Sequence, residues 1–164
     1  LEVISNGSNN LPTLLDMLIG NRSGAIGENC AIALLLGFVY LLIRRVIGWE
    51  TPVVFIGTVF VLSLLVKQDL TAALYQVLGG GLLIGAIFMA TDYVTGPMTR
   101  LGKIIFGVGC GVITMLIRLF ASLPEGVSFA ILIMNLLVPH IETIMAPKPF
   151  GTVKEKKAKE GEAK

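Results

Sequence analysis

The stretch LTAALYQVLGGGLLIGAIFMAT, residues 70–91, runs without a single charge and ends against Asp92. A helix rises about 1.5 Å per residue, so roughly 20 apolar residues cross the ~30 Å hydrocarbon core of a bilayer. This run is long enough alone. Four other uncharged runs accompany it: Asn29–Ile43, Thr51–Val66, Ile104–Ile117 and Gly126–Ile141. They are shorter, but uncharged or snorkelling flanks extend them. The pattern predicts an all-α integral membrane protein with five transmembrane helices at about 26–43, 51–67, 70–90, 102–119 and 126–145. A buried helix or re-entrant piece is the alternative for any short run, above all the fourth, which ends at Arg118.

Composition leads to the same class. Hydrophobic residues make up 54% of the 164, charged residues 15%, and the mean hydropathy is +0.83. A soluble domain carries about 25% charged residues. Nine of the 24 charges lie after Pro147, which leaves too few to coat a water-soluble globule. The net charge of +2 comes mostly from that tail, so no basic face exists to track nucleic acid. One histidine and two distant cysteines, Cys30 and Cys110, do not make a usual zinc or iron–sulfur ligand set. The cysteines read as small buried hydrophobes.

Loop charges suggest an orientation. Ten lysines and arginines (Arg44, Arg45, Arg100, Lys103 and six from Lys148 onward) fall on one side, against Arg22, Lys67 and Arg118 on the other. By the positive-inside rule the C-terminus is cytoplasmic and residues 1–25 are extracytoplasmic. That leading segment has turn-forming residues at 5–10. Pro12 then opens a short amphipathic helix with Leu14, Leu15, Leu18 and Ile19 on its apolar side. Residues 146–164 form a charged cytoplasmic tail, expected to be disordered. The chain begins Leu1-Glu2-Val3, without an initiator, and is expected to be a piece of a longer polypeptide.

Three groups of residues could carry chemistry. In Ala90-Thr91-Asp92-Tyr93-Val94-Thr95-Gly96-Pro97, a carboxylate between threonines precedes a proline that cannot continue the helix. Thr91, Asp92 and Thr95 are therefore candidates for an ion path or cofactor contact, because intramembrane carboxylates are usually functional. The alternative is a helix-end carboxylate paired with Arg100 or Lys103. Gly24, Gly27, Glu28 and Asn29 open the first span, where they could cap the helix or offer amides to a phosphate. Gly81/Gly85 and Gly107/Gly111 have the spacing that brings helices close; the same thinning could admit a flat ligand or an ion. Arg118 is expected to snorkel outward or pair with Glu125, and Thr114 and Asn135 to bond across helices. No arrangement of nucleophile, base and oxyanion hole supports hydrolysis.

At these residues the chain resembles a known family. Gly24-Ala25-Ile26-Gly27-Glu28-Asn29, the segment from Phe88 to Thr99, Ile105–Gly111, and Pro124–Ala130 continuing through Met134–Pro139 resemble the D subunit of the Rnf ion-translocating ferredoxin:NAD oxidoreductase complex. That protein is related to the B subunit of the Na+-translocating NADH:quinone reductase. The resemblance covers most of residues 12–140 and matches the C-terminal half. It implies one half of a ten-helix, urea-transporter-like inverted-repeat fold in the cell inner membrane. It also implies FMN bound covalently through a threonine, expected just upstream of Leu1, with a second, non-covalent flavin left open. Other membrane and flavoprotein subunits, and Na+ or H+, are the implied partners. Ser23-Gly24-Ala25-Ile26 begins like the flavin-acceptor motif, but Ile26 has no hydroxyl to esterify, so no covalent flavin residue is expected within these positions. Gly24, Gly27, Glu28 and Asn29 would lie near the flavin, and Thr91, Asp92 and Thr95 along the ion path. The implied activity is that of a translocase subunit relaying electrons through flavin, with no self-contained active site in this piece. A non-redox transporter or channel half and a purely structural membrane subunit are the other readings.

Overall fold

A computed structural model describes residues 14–20, 30–121 and 126–145. Every regular element among them is helical: α1 (Leu14–Ile19), α2 (Ala31–Ile43), α3 (Glu50–Lys67), α4 (Leu70–Leu78), α5 (Leu82–Met89), α6 (Arg100–Phe120) and α7 (Gly126–Met145). Helices α3, α6 and α7 are long and apolar enough to cross a membrane, and α4 with α5 qualifies as a fourth span bent by 62°. The 13 residues of α2 reach only about 20 Å at helical rise. The predicted start of that span, 26–29, lies outside the described residues. The fourth run, for which a re-entrant piece was the alternative, is instead the longest of these helices, 21 residues ending just past Arg118.

Glycines on α6 set the packing. A Cβ at Gly107 would stand 3.1 Å from the Thr51 carbonyl, and one at Gly111 would stand 2.6 Å from Thr58 Cβ. Only a bare helix face permits that approach, so on α6 the glycine pair serves close packing. Contacts climb in the same sense on both helices, so α3 and α6 run parallel. Helix α7 is antiparallel to α6: Gly126 meets Ile117, Gly109 meets Met134, and Gly102 meets Ile141. Two parallel helices joined by one segment require that segment to carry the chain back across the layer. The bent α4–α5 pair is therefore a broken span and not a hairpin returning to its own side.

The break has a local cause. The uninterrupted run at 70–91 reads as one helix, yet Gly79-Gly80-Gly81 divides it. Gly80 and Gly81 take φ of +63° and +66°, a region that costs a residue with a Cβ about 1–2 kcal/mol. The helical hydrogen-bond ladder stops at Leu78 and restarts at Leu82. From Gly85 to Met89 the helix widens to a π-turn, with the Ala90 N–H donating to the Gly85 carbonyl at 2.8 Å.

Phe55, Val59, Leu82, Ala86, Phe106 and Cys110 form the centre of the core. Outward-facing positions are apolar as well: Leu65, Leu132 and Leu136 are all about 70% exposed or more. A surface this oily is stable only against hydrocarbon or other subunits, and the chain is a multi-pass membrane protein. In α1 the apolar side differs from the expected one. Met17 is buried, with Leu14 and Leu18 half-buried beside it, while Leu15 and Ile19 point outward. Positions i, i+3 and i+4 make the inward stripe, and Met17 completes it.

Candidate functional site

The end of the bundle where α5 stops gathers the residues of the Thr91–Thr95 motif. Ile47 and Gly48 just before α3, Thr51 in its first turn, Thr91 and Asp92 just past α5, and Lys103 in the first turn of α6 line a cavity of about 230 Å³. Three devices hold its wall. The Thr99 hydroxyl accepts from the Gly102 N–H at 3.1 Å and caps α6. Glu142 Oε1 accepts from the Met98 N–H at 3.0 Å, tying the loop to α7, and Pro97 is buried beneath it.

Within that loop each candidate has a local partner. The Thr91 hydroxyl donates to the Ile87 carbonyl at 2.6 Å, next to the π-turn. Asp92 is exposed; its carboxylate accepts from the Thr95 hydroxyl at 3.1 Å and the Val94 N–H at 3.3 Å. Arg100, one of its two expected ion-pair partners, lies instead 3.9 Å from Glu50. Lys103 shares the cavity with Asp92. Asp92 thus stands at a helix end and at a cavity mouth at once. At that volume the cavity is smaller than the roughly 300–1,000 Å³ of ordinary cofactor pockets. Gly24, Gly27, Glu28 and Asn29 lie outside the described residues.

The opposite end holds a cluster that the sequence reading missed. Arg118, in the last turn of α6, turns inward onto the helix break. Its Nη1 donates to the Gln76 carbonyl at 2.7 Å and to Gln76 Oε1 at 3.1 Å. Its Nη2 donates to the carbonyls of Gly79 and Gly80, each at 3.2 Å. Ending α4 strands carbonyls that a continuous helix would have used, and in a membrane each unmet carbonyl costs several kcal/mol. One planar guanidinium answers three of them. The expectation that Arg118 snorkels outward is therefore corrected; Glu125, its other expected partner, lies outside the described residues. A polar Gln76 and three glycines inside an apolar run, with a lone arginine on another span, were the available signal.

Polar residues elsewhere serve packing. Thr114 Oγ1 and Asn135 Oδ1 are buried without a hydrogen-bond partner among the described residues, so the inter-helix bonds expected of them are not made there. Cys110 is fully buried, and the half-buried Cys30 thiol donates to the Leu18 carbonyl at 3.6 Å. Among the described residues no group of three or more His, Cys, Asp or Glu could hold a metal ion.

Known proteins are similar in sequence across most of the chain. The family described as NQR2, RnfD, RnfE matches residues 1–151. The D subunit of the Na(+)-translocating ferredoxin:NAD(+) oxidoreductase complex of Acetobacterium woodii is 42% identical over 149 residues, covering 90% of this chain and 46% of the relative. The D subunit of the proton-translocating ferredoxin:NAD(+) oxidoreductase complex of Clostridium ljungdahlii is 46% identical over 140 residues, 83% of this chain and 42% of the relative. The D subunit of the ion-translocating oxidoreductase complex of Stutzerimonas stutzeri is 41% identical over 142 residues, 84% of this chain and 40% of the relative. The chain spans under half the length of these relatives.

Proposed function

From the premise that the chain belongs to the NQR2, RnfD, RnfE family, we propose that it is part of a membrane subunit of an ion-translocating oxidoreductase complex. The subunit relays electrons through bound flavin and couples ferredoxin:NAD electron transfer to Na+ or H+ movement. The observation that carries this reading is the similarity over nine-tenths of the chain to a subunit named for that reaction. Relatives named for Na+ and for protons are about equally similar, so identity favours neither ion.

The protein's share of such chemistry is binding, orientation and electrostatics, while the flavin supplies the redox step. Gly24, Gly27, Glu28 and Asn29 are assigned to the flavin vicinity, and the covalent FMN to a threonine preceding Leu1. Thr91, Asp92 and Thr95, with Asp92 exposed and accepting from Thr95, are assigned to the ion. The basic end, with Arg44, Arg45, Arg100 and Lys103, faces the cytoplasm of a cell inner membrane. Five crossings, counting α2 and the broken span, would make this one half of a ten-helix subunit. Its partners are the membrane and flavoprotein subunits of the complex.

A span broken at Gly79–Gly81 also suits a transporter without redox chemistry. In-gel fluorescence separates the two. The full-length polypeptide, denatured and run on a gel, is expected to keep a fluorescent flavin. A polypeptide without covalent flavin would remove the proposed cofactor and favour the non-redox reading.

A further inference from the structure

Two cations at the corner between α2 and α3 stand without partners. Arg44 and Arg45 follow the last turn of α2 and are exposed, and among the described residues neither side chain forms an ion pair or a hydrogen bond. The chain leaves the helix through a Schellman turn. The Arg45 N–H donates to the Leu42 carbonyl and the Val46 N–H to the Leu41 carbonyl, each at 3.0 Å. That turn holds Arg45 at φ +53°, in the left-handed region where glycine is the usual occupant. A helix C-terminus favours positive charge, and Arg44 meets that need in an ordinary helical conformation. The second arginine sits where the backbone resists a side chain. An apolar stripe runs up to the pair. Leu36, Tyr40 and Ile43, spaced i, i+4 and i+7 along one side of α2, are 65%, 63% and 75% exposed, and Trp49 beyond the turn is 60% exposed. Tyrosine and tryptophan at the end of an apolar helix face mark the headgroup level of a bilayer.

We propose that the α2–α3 corner is a binding site for an anionic phospholipid such as phosphatidylglycerol. The guanidiniums of Arg44 and Arg45 take its phosphodiester, and an acyl chain lies along Leu36, Tyr40 and Ile43. A planar guanidinium matches phosphate oxygens with paired N–H donors. Two such charges outweigh the single negative charge of one phosphodiester, so the corner repels the ammonium of a zwitterionic lipid and favours a headgroup without a cation. The stripe favours a lipid over a soluble phosphate ester or an acidic protein segment, because only a lipid continues from its charge into an apolar tail along the helix. The proposal needs only that the chain crosses a membrane, so its failure would leave the redox reading untouched.

Native mass spectrometry of the full-length chain in detergent tests it, with dioleoyl phosphatidylglycerol and dioleoyl phosphatidylcholine supplied in equal amounts. Wild type is expected to retain phosphatidylglycerol several-fold over phosphatidylcholine. Arg44→Gln combined with Arg45→Gln should remove most of that preference. Arg45→Gly relieves the left-handed backbone, so it should unfold no earlier than wild type in lipid-free detergent and yet lose part of the preference. An arginine that serves only the fold would not separate those two readouts. Arg100→Gln, which removes a cation beside Glu50, should leave the preference unchanged. Millimolar glycerol 3-phosphate should not displace the lipid. Equal retention of both lipids by wild type, or a double variant that keeps the preference, would overturn the proposal. So would displacement by glycerol 3-phosphate, which would leave a phosphate site without a lipid. An Arg100→Gln chain that loses the preference as fully as the double variant would overturn it too, because the selectivity would then belong to the whole basic end.

Discussion

Replacing Gly111 by alanine tests the register on which the topology depends. An added Cβ would lie 2.6 Å from Thr58 Cβ and 2.7 Å from its Cγ2, with the Phe55 carbonyl 3.4 Å away. Thr58 is β-branched, and its hydroxyl is bonded to the Val54 carbonyl at 2.8 Å, so it cannot swing aside. Overpacking of this kind costs about 1–3 kcal/mol. Alanine also gains about 1 kcal/mol over glycine in helix propensity, which must be removed by a control. Gly57→Ala supplies it, since that Cβ would meet nothing within 4 Å. The expected difference in stability between the two variants is therefore about 1–3 kcal/mol, with Gly111→Ala the weaker. Gly109→Ala should fall between them, because its new Cβ meets only the flexible side chain of Met134. Reversible unfolding of the full-length chain by SDS, followed by circular dichroism, gives the three values. A Gly111→Ala chain as stable as Gly57→Ala would show that α3 and α6 do not pack in this parallel register. The assignment of α4 and α5 to one broken span would fall with it.

Two further substitutions probe the broken span and the loop that follows it. Gly81→Ala forces a Cβ into φ +66° and should destabilise the chain by about 1–2 kcal/mol in the same SDS assay, whereas a straight helix through 70–90 would be stabilised. Asp92→Asn keeps an oxygen for the Val94 N–H and an amide to donate to Thr95, so the loop stays folded while the charge is lost. Ion uptake by the assembled complex in proteoliposomes should drop several-fold; unchanged uptake would make Asp92 a loop cap only.

Much of this was legible in the sequence because a membrane helix announces itself by length and the absence of charge. The runs 51–66, 104–117 and 126–141 each lie within an observed helix, and glycine spacing on α6 signalled the close helix contact. The break was not legible from the absence of charge, since Gly79-Gly80-Gly81 is uncharged and near neutral in hydropathy whether it continues a helix or ends one. Its reality depends on left-handed φ values and on carbonyls that find a donor in a different span. For the same reason Arg118 was misplaced: nearness to a helix end suggests snorkelling, and only the third dimension reveals oxygens beside it. Asp92 stands just past a helix end, which both readings of it allowed, but its cavity depends on Ile47, Gly48 and Thr51, more than 40 positions earlier.

Ferredoxin-driven ion uptake is the most direct test of the proposed role. Inverted membrane vesicles are supplied with reduced ferredoxin and NAD+, and 22Na+ accumulation and internal acidification are followed together with NADH formation. Vesicles from wild-type cells should couple NADH formation to uptake of one of the two ions, and deletion of the gene for the full-length polypeptide should abolish both. Undiminished NADH formation and ion uptake in the deletion strain would contradict a role for this subunit in the coupled reaction.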